Sequence, residues 1–593
     1  VKRCFRLCLS AAGLFALEVV GVSCSVLAPS NNIPAPNMTS FDVHPIRVNT
    51  VGYVTSREKL ATVVLPDGMT SLANAAAEVH TASDGALVWP CELIGPTVDP
   101  DTNLTYYIAD FSPFDQAGQF YVAAPGLTVD GAAARSATFD IAPDVFKDVV
   151  TTAMLGMYGQ RCGTAVSLSL DSTTWSHKAC HGKDAYLTYL TGADSIHASL
   201  GGWHDAGDYG KYVTNGAFSV GMMLQAWEMF QPALASLSLP IPEHGNSLGI
   251  PDYLSEVKWE LDWLLTAQDT SGGVPHKLTG LVFEGFVMPD IDTQKRYFTG
   301  IGTAATANFV AVMAEAARIY ATYDATSATN YRNAAQSAYA YLTANSGPAI
   351  PANSSMFTTG GYTETDPDNR LWAAAEMWET TGDPAALADF ETRAAGKTAA
   401  TDFDWPNVQN LGIYTYVLSQ RSDKDARNAT LLASLSSSVV AAADMLSSTA
   451  AAHAFGRALG GSYYWGSNGS VARAAMNLSV ANVVSPNDKY LDTIAMQLDF
   501  LLGRNAYDRS QVTAVGYNPP QHPHHRPSAS DSVSAPWPGL LVGGANSQDA
   551  TAAIPAALTW HDDQSTAELN EIAINWNAAL IYAAAALTPA PAQ

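Results

Sequence analysis

Short alternating runs of apolar and polar residues fill the chain from about Pro45 to Ala142, and longer runs with a helical period follow. Residues 46–49, 60–64, 104–108 and 118–122 alternate between Asp-Gly, Pro-Gly and Pro-Asp turn signals. Alternation at period two turns one face of each run inward, so this stretch of about 100 residues is predicted to be a β-sandwich. Beyond Asp144 the period changes. In 253–265, Leu254, Val257, Leu261, Leu264 and Leu265 share one helical face. Further helices are predicted at 304–320, 331–344, 370–380, 384–394, 432–447, 470–483, 490–502 and 571–587, most of them rich in Ala, with Gly, Pro and aromatic residues between them. About 445 residues of helices without interleaved strands argue for a single helical toroid.

Composition narrows the partner. The 593 residues are 47% hydrophobic and 14% charged, which is a folded composition. Thirty basic against 55 acidic side chains give a formal charge of −25. Such a chain is a poor match for a nucleic-acid backbone or an anionic lipid surface, which are bound by neutralising phosphates with Lys and Arg. An uncharged partner fits better. Residues 1–24 open with Lys2, Arg3 and Arg6, continue apolar from Leu7 to Val22 apart from Ser10 and Glu18, and are expected to be an export signal. Residues 25–43 are expected to be a linker. Cys24 follows small residues and is a candidate for lipid attachment. No later uninterrupted apolar run approaches the roughly 20 residues of a membrane span. The expectation is a secreted, extracellular or periplasmic monomer, tethered if at all through Cys24.

Three of the six cysteines lie in the export segment, leaving Cys91, Cys162 and Cys180, too few for a disulfide framework. The densest chemistry is at 201–212, Gly-Gly-Trp-His-Asp-Ala-Gly-Asp-Tyr-Gly-Lys-Tyr. Asp205 and Asp208 can converge on one water, one positioning it and the other taking its proton. A lone Asp among glycines is usually a turn former, but turn formation has no need of Trp203, Tyr209 and Tyr212. In a second segment, 560–578, Glu571 heads an apolar stretch whose desolvation would raise its pKa, as a proton donor requires. The alternative is a Glu at a helix N-terminus stabilising the dipole. In a third, 510–526, prolines bracket His524 and Arg526 on a loop that could donate to hydroxyl groups. With His522 and His525 the same segment could be a metal-binding tract.

Trp203–Tyr212, the Pro-His-His-Arg at 523–526, Tyr-Tyr-Trp-Gly-Ser-Asn at 463–468 and Asn-Glu-Ile-Ala-Ile-Asn-Trp-Asn at 570–577 together resemble glycoside hydrolase family 9, the inverting cellulases. The likeness runs from Ile46 to Leu587, and residues 46–53 resemble the immunoglobulin-like module that precedes many of these barrels. The resemblance implies an all-α (α/α)6 barrel at 143–590, a small all-β immunoglobulin-like sandwich at 44–142, and an open cleft for a β-1,4-glucan. It implies Asp208 as general base, Asp205 as its companion on the nucleophilic water, and Glu571 as general acid. His524 and Arg526 match residues lining the subsite at the scissile bond, and Asp562 fits the pattern before the acid. Inverting carboxyls stand roughly 6.5–9.5 Å apart, so residues 208 and 571 are expected to face each other where the first helix closes on the last. In one departure, Ala567 stands where the family carries an aromatic residue four positions before the Glu.

Cys162, Cys180, His181 and His204 supply two thiolates and two imidazoles, the mixed set of a closed tetrahedral zinc, and match a structural zinc in the immunoglobulin-bearing branch of the family. Two buried free cysteines or a Cys162–Cys180 disulfide are the alternatives. The resemblance places a possible calcium near 363–372, with Asp366 and Asp368 as ligands, where a solvated loop is the alternative. No organic cofactor is expected. Trp203, Tyr209, Trp405, Tyr463, Tyr464 and Trp465 are candidate sugar-stacking platforms, with Trp405 and Trp465 in loop segments containing Pro or Gly. The expected activity is that of an endoglucanase. Alternatives are an exo-acting cellobiosidase, β-glucosidase or glucosaminidase of the same family, a non-catalytic glycan-binding surface protein, and a metal-dependent phosphohydrolase built on His204 and Asp205.

Overall fold

The computed structural model describes residues 43–351, 356–362 and 365–591. The expected export signal, Cys24 and the linker up to residue 42 lie outside them, as do Thr363 and Glu364 of the calcium segment.

Nine strands make the N-terminal sandwich: β1 (Ile46–Arg47), β2 (Gly52–Val54), β3 (Leu60–Val64), β4 (Ala76–Thr81), β5 (Leu87–Val98), β6 (Thr105–Asp110), β7 (Gly118–Val129), β8 (Ala132–Arg135) and β9 (Phe139–Ala142). Their order is β1-β3-β6-β5-β4-β7-β9-β2, with β8 on β7, and the β2–β9 pair is parallel. β5 passes from one layer to the other between Glu92 and Leu93: its first half pairs with β4 and its second with β6, and the register of the second half breaks at Gly95-Pro96. Such a break bends a strand and increases its twist. The inward residues of the alternating runs, among them Val63, Val79, Tyr107, Phe120, Val122 and Phe139, form the sandwich core.

Among the described residues, twelve helices of ten or more residues alternate between two concentric rings. The inner ring is Val213–Leu234, Thr303–Tyr320, Pro367–Thr381, Gln409–Leu418, Ser467–Val484 and Ile574–Ala586, each packed on the next and the last on the first. The outer ring is Lys147–Gly159, Asp252–Ala267, Ala325–Ala344, Pro384–Ala394, Ala429–Ala452 and Asp488–Leu501. This is an (α/α)6 barrel. An inner helix is enclosed on every side, so it carries no single apolar stripe; Ile574–Ala586 is buried along nearly its whole length, and six of its 13 residues are Ala. An outer helix buries one face, as Asp488–Leu501 does with Tyr490, Ile494, Leu498 and Leu501. The first helix, Lys147–Gly159, packs against the last, Ile574–Ala586.

The structure departs from the sequence reading in three places. Glu571 does not begin the last helix: its backbone is extended, and the helix starts at Ile574. The helical region does contain strands, a hairpin of Val166–Leu170 with Thr173–His177 and a small sheet of Lys211–Tyr212, Lys277–Thr279 and Tyr297–Phe298. Finally, Ala429–Ala452 is long and apolar enough by composition to cross a membrane, with a mean hydropathy of 1.5. It is nevertheless an outer barrel helix, packing Leu435, Val439, Ala443 and Leu446 against the 467–484 and 488–501 helices.

The sandwich is fastened to the barrel by buried polar contacts. Asn49 Nδ2 donates to Asp499 Oδ1 at 2.9 Å, Thr50 Oγ1 to the Leu502 carbonyl at 2.6 Å, and Arg504 Nε to Thr62 Oγ1 at 3.1 Å. Burial pushes the Asp499 carboxyl up to about 7.

Candidate active site

All six inner helices begin at one mouth of the barrel, and the three segments singled out in the sequence meet there. The loop before the 213–234 helix is stitched to the segment before the 574–586 helix: the Ile574 amide donates to the Asp205 carbonyl at 2.9 Å, and Ala206 bridges Ala573. That second segment pairs with the His524 loop, whose amide donates to the Asn570 carbonyl at 2.7 Å, while the Arg526 amide donates to the Gly207 carbonyl at 3.3 Å. Residue 207 must be glycine, because a Cβ there would lie 2.2 Å from the His524 carbonyl oxygen. The backbone thus fixes Asp205, Asp208, His524, Arg526 and Glu571 relative to one another.

Asp205 is buried, and each of its oxygens is held by a donor: Asn215 Nδ2 on Oδ1 at 2.8 Å and the Tyr362 hydroxyl on Oδ2 at 2.7 Å. Burial, and then the Asp208 charge, push its carboxyl up to about 7 against these two donors. Asp208 accepts from the Gly210 amide at 2.9 Å and the Tyr212 hydroxyl at 3.2 Å, both on Oδ2. Glu571 lies within electrostatic reach of both aspartates. Burial, then Asp208 and Asp205, push its carboxyl up to about 8, while the Arg526 guanidinium and the Gly207 amide pull the other way. The Trp465 indole donates to Glu571 Oε2 at 3.2 Å. At neutral pH this carboxyl is protonated and can give a proton away.

Several expected sugar contacts lie elsewhere. Trp203 is only 1% exposed, with its indole on Glu256 Oε1 and its amide on Glu260 Oε2, so it is core. Tyr209 is likewise buried, its hydroxyl on the Val287 carbonyl. Tyr463 is buried under the Arg457 guanidinium, and Tyr464 donates to Asp402. Asp562 spends both oxygens inside the protein, accepting from Arg509, Asn570 and the amides of Gln521 and His522. It shapes the histidine loop from behind. Trp465, 48% exposed, and Trp405, edge-on to Tyr362 at 4.8 Å, remain at the cleft.

The structure adds two residues the sequence did not mark near Asp205 and gives a role to Tyr212, which the sequence marks only as an aromatic neighbour. Tyr362 and Asn215 hold Asp205, and Tyr212 holds Asp208. Glu284 accepts from Arg526 Nε at 3.1 Å and from the Tyr209 amide at 2.8 Å. A Gly-Gly-Tyr at 360–362 and a carboxylate between two phenylalanines are the only local signals, and neither is distinctive.

Cys162 Sγ, Cys180 Sγ, His181 Nδ1 and His204 Nε2 all lie within 4.8 Å of one another. The edges are 4.0 Å between sulfurs, 3.4 Å between nitrogens, and 3.4 and 3.9 Å between sulfur and nitrogen. These are close to the edges of a tetrahedron with metal bonds of about 2.0–2.3 Å. The sulfurs are too far apart for a disulfide, whose bond is about 2.05 Å. His181 Nε2 reaches Asp292 Oδ2 at 3.4 Å, the kind of outer contact that orients a ligand ring. The donor set fits a metal ion. The histidine tract does not form one: His524 bonds the Gln564 carbonyl, and His525 bonds Gln160 and Ser528. The expected calcium ligands also have protein partners, Asp366 with Arg370 Nε at 2.7 Å and Asp368 with the Val408 amide at 2.7 Å. His204 faces Cys180 and His181, so it does not form a phosphohydrolase centre with Asp205.

A cavity of about 690 Å3 lies at the other mouth of the barrel, between Trp227, Glu315, Arg318, Glu376 and Thr415. Arg318 spans Glu228 and Glu376 there, far from the three carboxyls.

A carboxyl with a raised pKa beside two aspartates at one mouth of an (α/α)6 barrel is the kind of carboxyl set a glycosidase uses. Residues 146–584 match glycosyl hydrolase family 9, and residues 43–129 match the cellulase N-terminal ig-like domain. The chain belongs to glycoside hydrolase family 9. It is 46% identical to endoglucanase D of Acetivibrio thermocellus over 546 residues, which covers 91% of this chain and 83% of that one. A metagenome-derived family 9 endoglucanase superimposes with a TM-score of 0.83 at 35% identity, over 92% of this chain and 98% of that one. A Zn-binding triple mutant of family 9 endoglucanase J30 superimposes with a TM-score of 0.82 at 31% identity, over 91% and 100%.

Proposed function

We propose that this chain is an endo-β-1,4-glucanase acting on cellulose or a related β-glucan with inversion at the anomeric carbon. Asp208 takes the proton of a water that Asp205 helps to hold. That water attacks the anomeric carbon from one face while Glu571 protonates the leaving glycosidic oxygen on the other. The reaction ends with Asp208 protonated and Glu571 ionised, and solvent resets both. The observation that carries the reading is Glu571, whose carboxyl is pushed up to about 8 beside the two aspartates. His524 and Arg526 border the bond being broken, and Trp405 and Trp465 offer rings to the sugar chain.

Cys162, Cys180, His181 and His204 would hold a zinc ion, which when bound supplies a cross-link between the 162–163 turn, the 180–181 loop and the segment entering Asp205. Its contribution is rigidity at the base, and no proton moves through it. A chain of formal charge −25 suits an uncharged polymer, and export would bring the enzyme to it.

Glu571→Gln tests the assignment. Activity on soluble cellulose falls by three or more orders of magnitude, on the order expected when an essential acid is lost, and calorimetry still finds cellotetraose bound. Wild-type turnover in this variant overturns it.

A further inference from the structure

The segment between the strands Lys277–Thr279 and Tyr297–Phe298 carries four large apolar side chains into solvent: Val282, Phe283, Phe286 and Ile291, exposed by 47, 45, 43 and 60%. Two of them border the reaction centre. The Phe286 ring meets the His524 ring edge-on with centroids 5.2 Å apart, and His524 pairs with Glu571 along the backbone. The Arg526 guanidinium lies 5.9 Å from the Phe283 centroid and 5.8 Å from that of Phe286. Between the rings, the buried Glu284 side chain accepts from the Tyr209 amide and from Arg526 Nε, which also donates to the Glu284 carbonyl at 3.0 Å. The Tyr209 hydroxyl closes on the Val287 carbonyl at 2.6 Å. The loop is therefore pinned on both sides of residue 286 to the loop that carries Asp208. Pinned this way it cannot fold its rings inward, and exposing them loses the stabilisation that burial of a phenyl ring brings.

A rigid apolar ring set among a guanidinium, an imidazole and carboxylates is complementary to a ligand with a flat C–H face edged by hydroxyls. A β-linked glucosyl unit has that shape: its equatorial hydroxyls leave axial C–H bonds on each face to lie on an aromatic ring. We propose that Phe286, with Phe283 beside it, is a sugar-stacking platform bordering the scissile bond, and that the 280–291 loop sets which bond of a short oligosaccharide is cut. This rests on the glucanase reading above.

The test compares Phe286→Ala, Phe286→Leu and Phe286→Tyr on cellopentaose, reading kcat, KM, the bond cut, the pH profile and Tm. Stacking predicts that Ala and Leu both raise KM about three- to tenfold, the range expected for one aromatic contact. Both also shift the bond choice, Tyr restores both properties, and the alkaline limb of kcat/KM stays where it was. If Leu performs as well as Phe, the ring acts by filling space and the proposal fails. It also fails if KM and bond choice are unchanged in Ala, or if the alkaline limb moves, since Phe286 would then act through Arg526 on Glu571. Leu and Tyr preserve apolar volume, so their contrast stands even where Ala does not fold. Failure of the acid assignment appears separately, as activity in Glu571→Gln.

Discussion

Tyr362 donates its hydroxyl hydrogen to Oδ2 of Asp205 across 2.7 Å, from a backbone held at a φ of 44°. A non-glycine residue in that region is strained and persists only where its surroundings hold it. The holding groups are Lys277, whose ammonium donates to the Gly360 carbonyl at 2.7 Å, and Tyr212, whose hydroxyl accepts from the Gly360 amide at 3.1 Å. Tyr212 also donates to Asp208. One short segment thus serves both aspartates. Tyr362→Phe removes a donor to an ionised carboxylate, which raises the Asp205 pKa further. The expected outcome is a fold unchanged by circular dichroism, kcat lower by about ten- to a hundredfold, and an acidic limb of kcat/KM displaced to higher pH.

The alkaline limb belongs to Glu571. Its carboxyl, pushed up to about 8 by burial and the two aspartates, must be protonated to act, so kcat/KM falls as the pH passes that value. Arg526 opposes the shift. Arg526→Met removes that cation, so the limb moves to higher pH even as the maximal rate drops. A limb that moves down, or stays, separates Arg526 from Glu571.

The same raised values cost stability. Asp205 and Glu571 ionise near 4 in an unfolded chain but are pushed up to about 7 and 8 in the folded one. Over that window the folded state holds more protons than the unfolded, so stability falls as pH rises from about 4 and the loss is complete above the folded values. Asp205→Asn and Glu571→Gln therefore melt higher than the parent at pH 8.5, and the gap closes as pH falls towards 4. Calorimetric scans across that range check the sign.

Elemental analysis of protein purified without chelator should find about one zinc per chain, the loading of one closed four-ligand site. Cys180→Ser should lose it, melt lower and turn over more slowly, because the His204 ligand adjoins Asp205 in the chain.

Legibility followed periodicity. The sandwich strands alternate, and Asp252–Ala267 carries an apolar stripe, so both were readable. Val213–Leu234 and Gln409–Leu418, both in the inner ring, were not, because enclosure by neighbouring helices leaves little polar face to mark the period. Glu571 was read as heading a helix because the apolar run begins beside it. In the structure it stays extended to pair with His524, and that pairing, invisible in local sequence, is what aims its carboxyl. Asp205, Asp208, Glu571 and the four candidate metal ligands were legible as clusters or motifs of reactive types. Tyr362, Glu284 and Phe286 reach the site from loops remote in sequence, where one tyrosine, glutamate or phenylalanine looks like any other. Trp203 and Tyr209 erred the opposite way: aromatics beside catalytic residues can serve the core beneath the site as readily as the substrate above it.

The central claim is direct displacement by a water held between Asp208 and the sugar while Glu571 protonates the leaving oxygen. It is tested most directly by the anomeric configuration of the first product. Proton NMR of cellopentaose cleavage, recorded faster than mutarotation, should show the new reducing end appearing as the α-anomer and equilibrating to β. A new end that appears as β would mean a covalent intermediate and a carboxylate nucleophile, and would contradict the roles given to Asp205, Asp208 and Glu571.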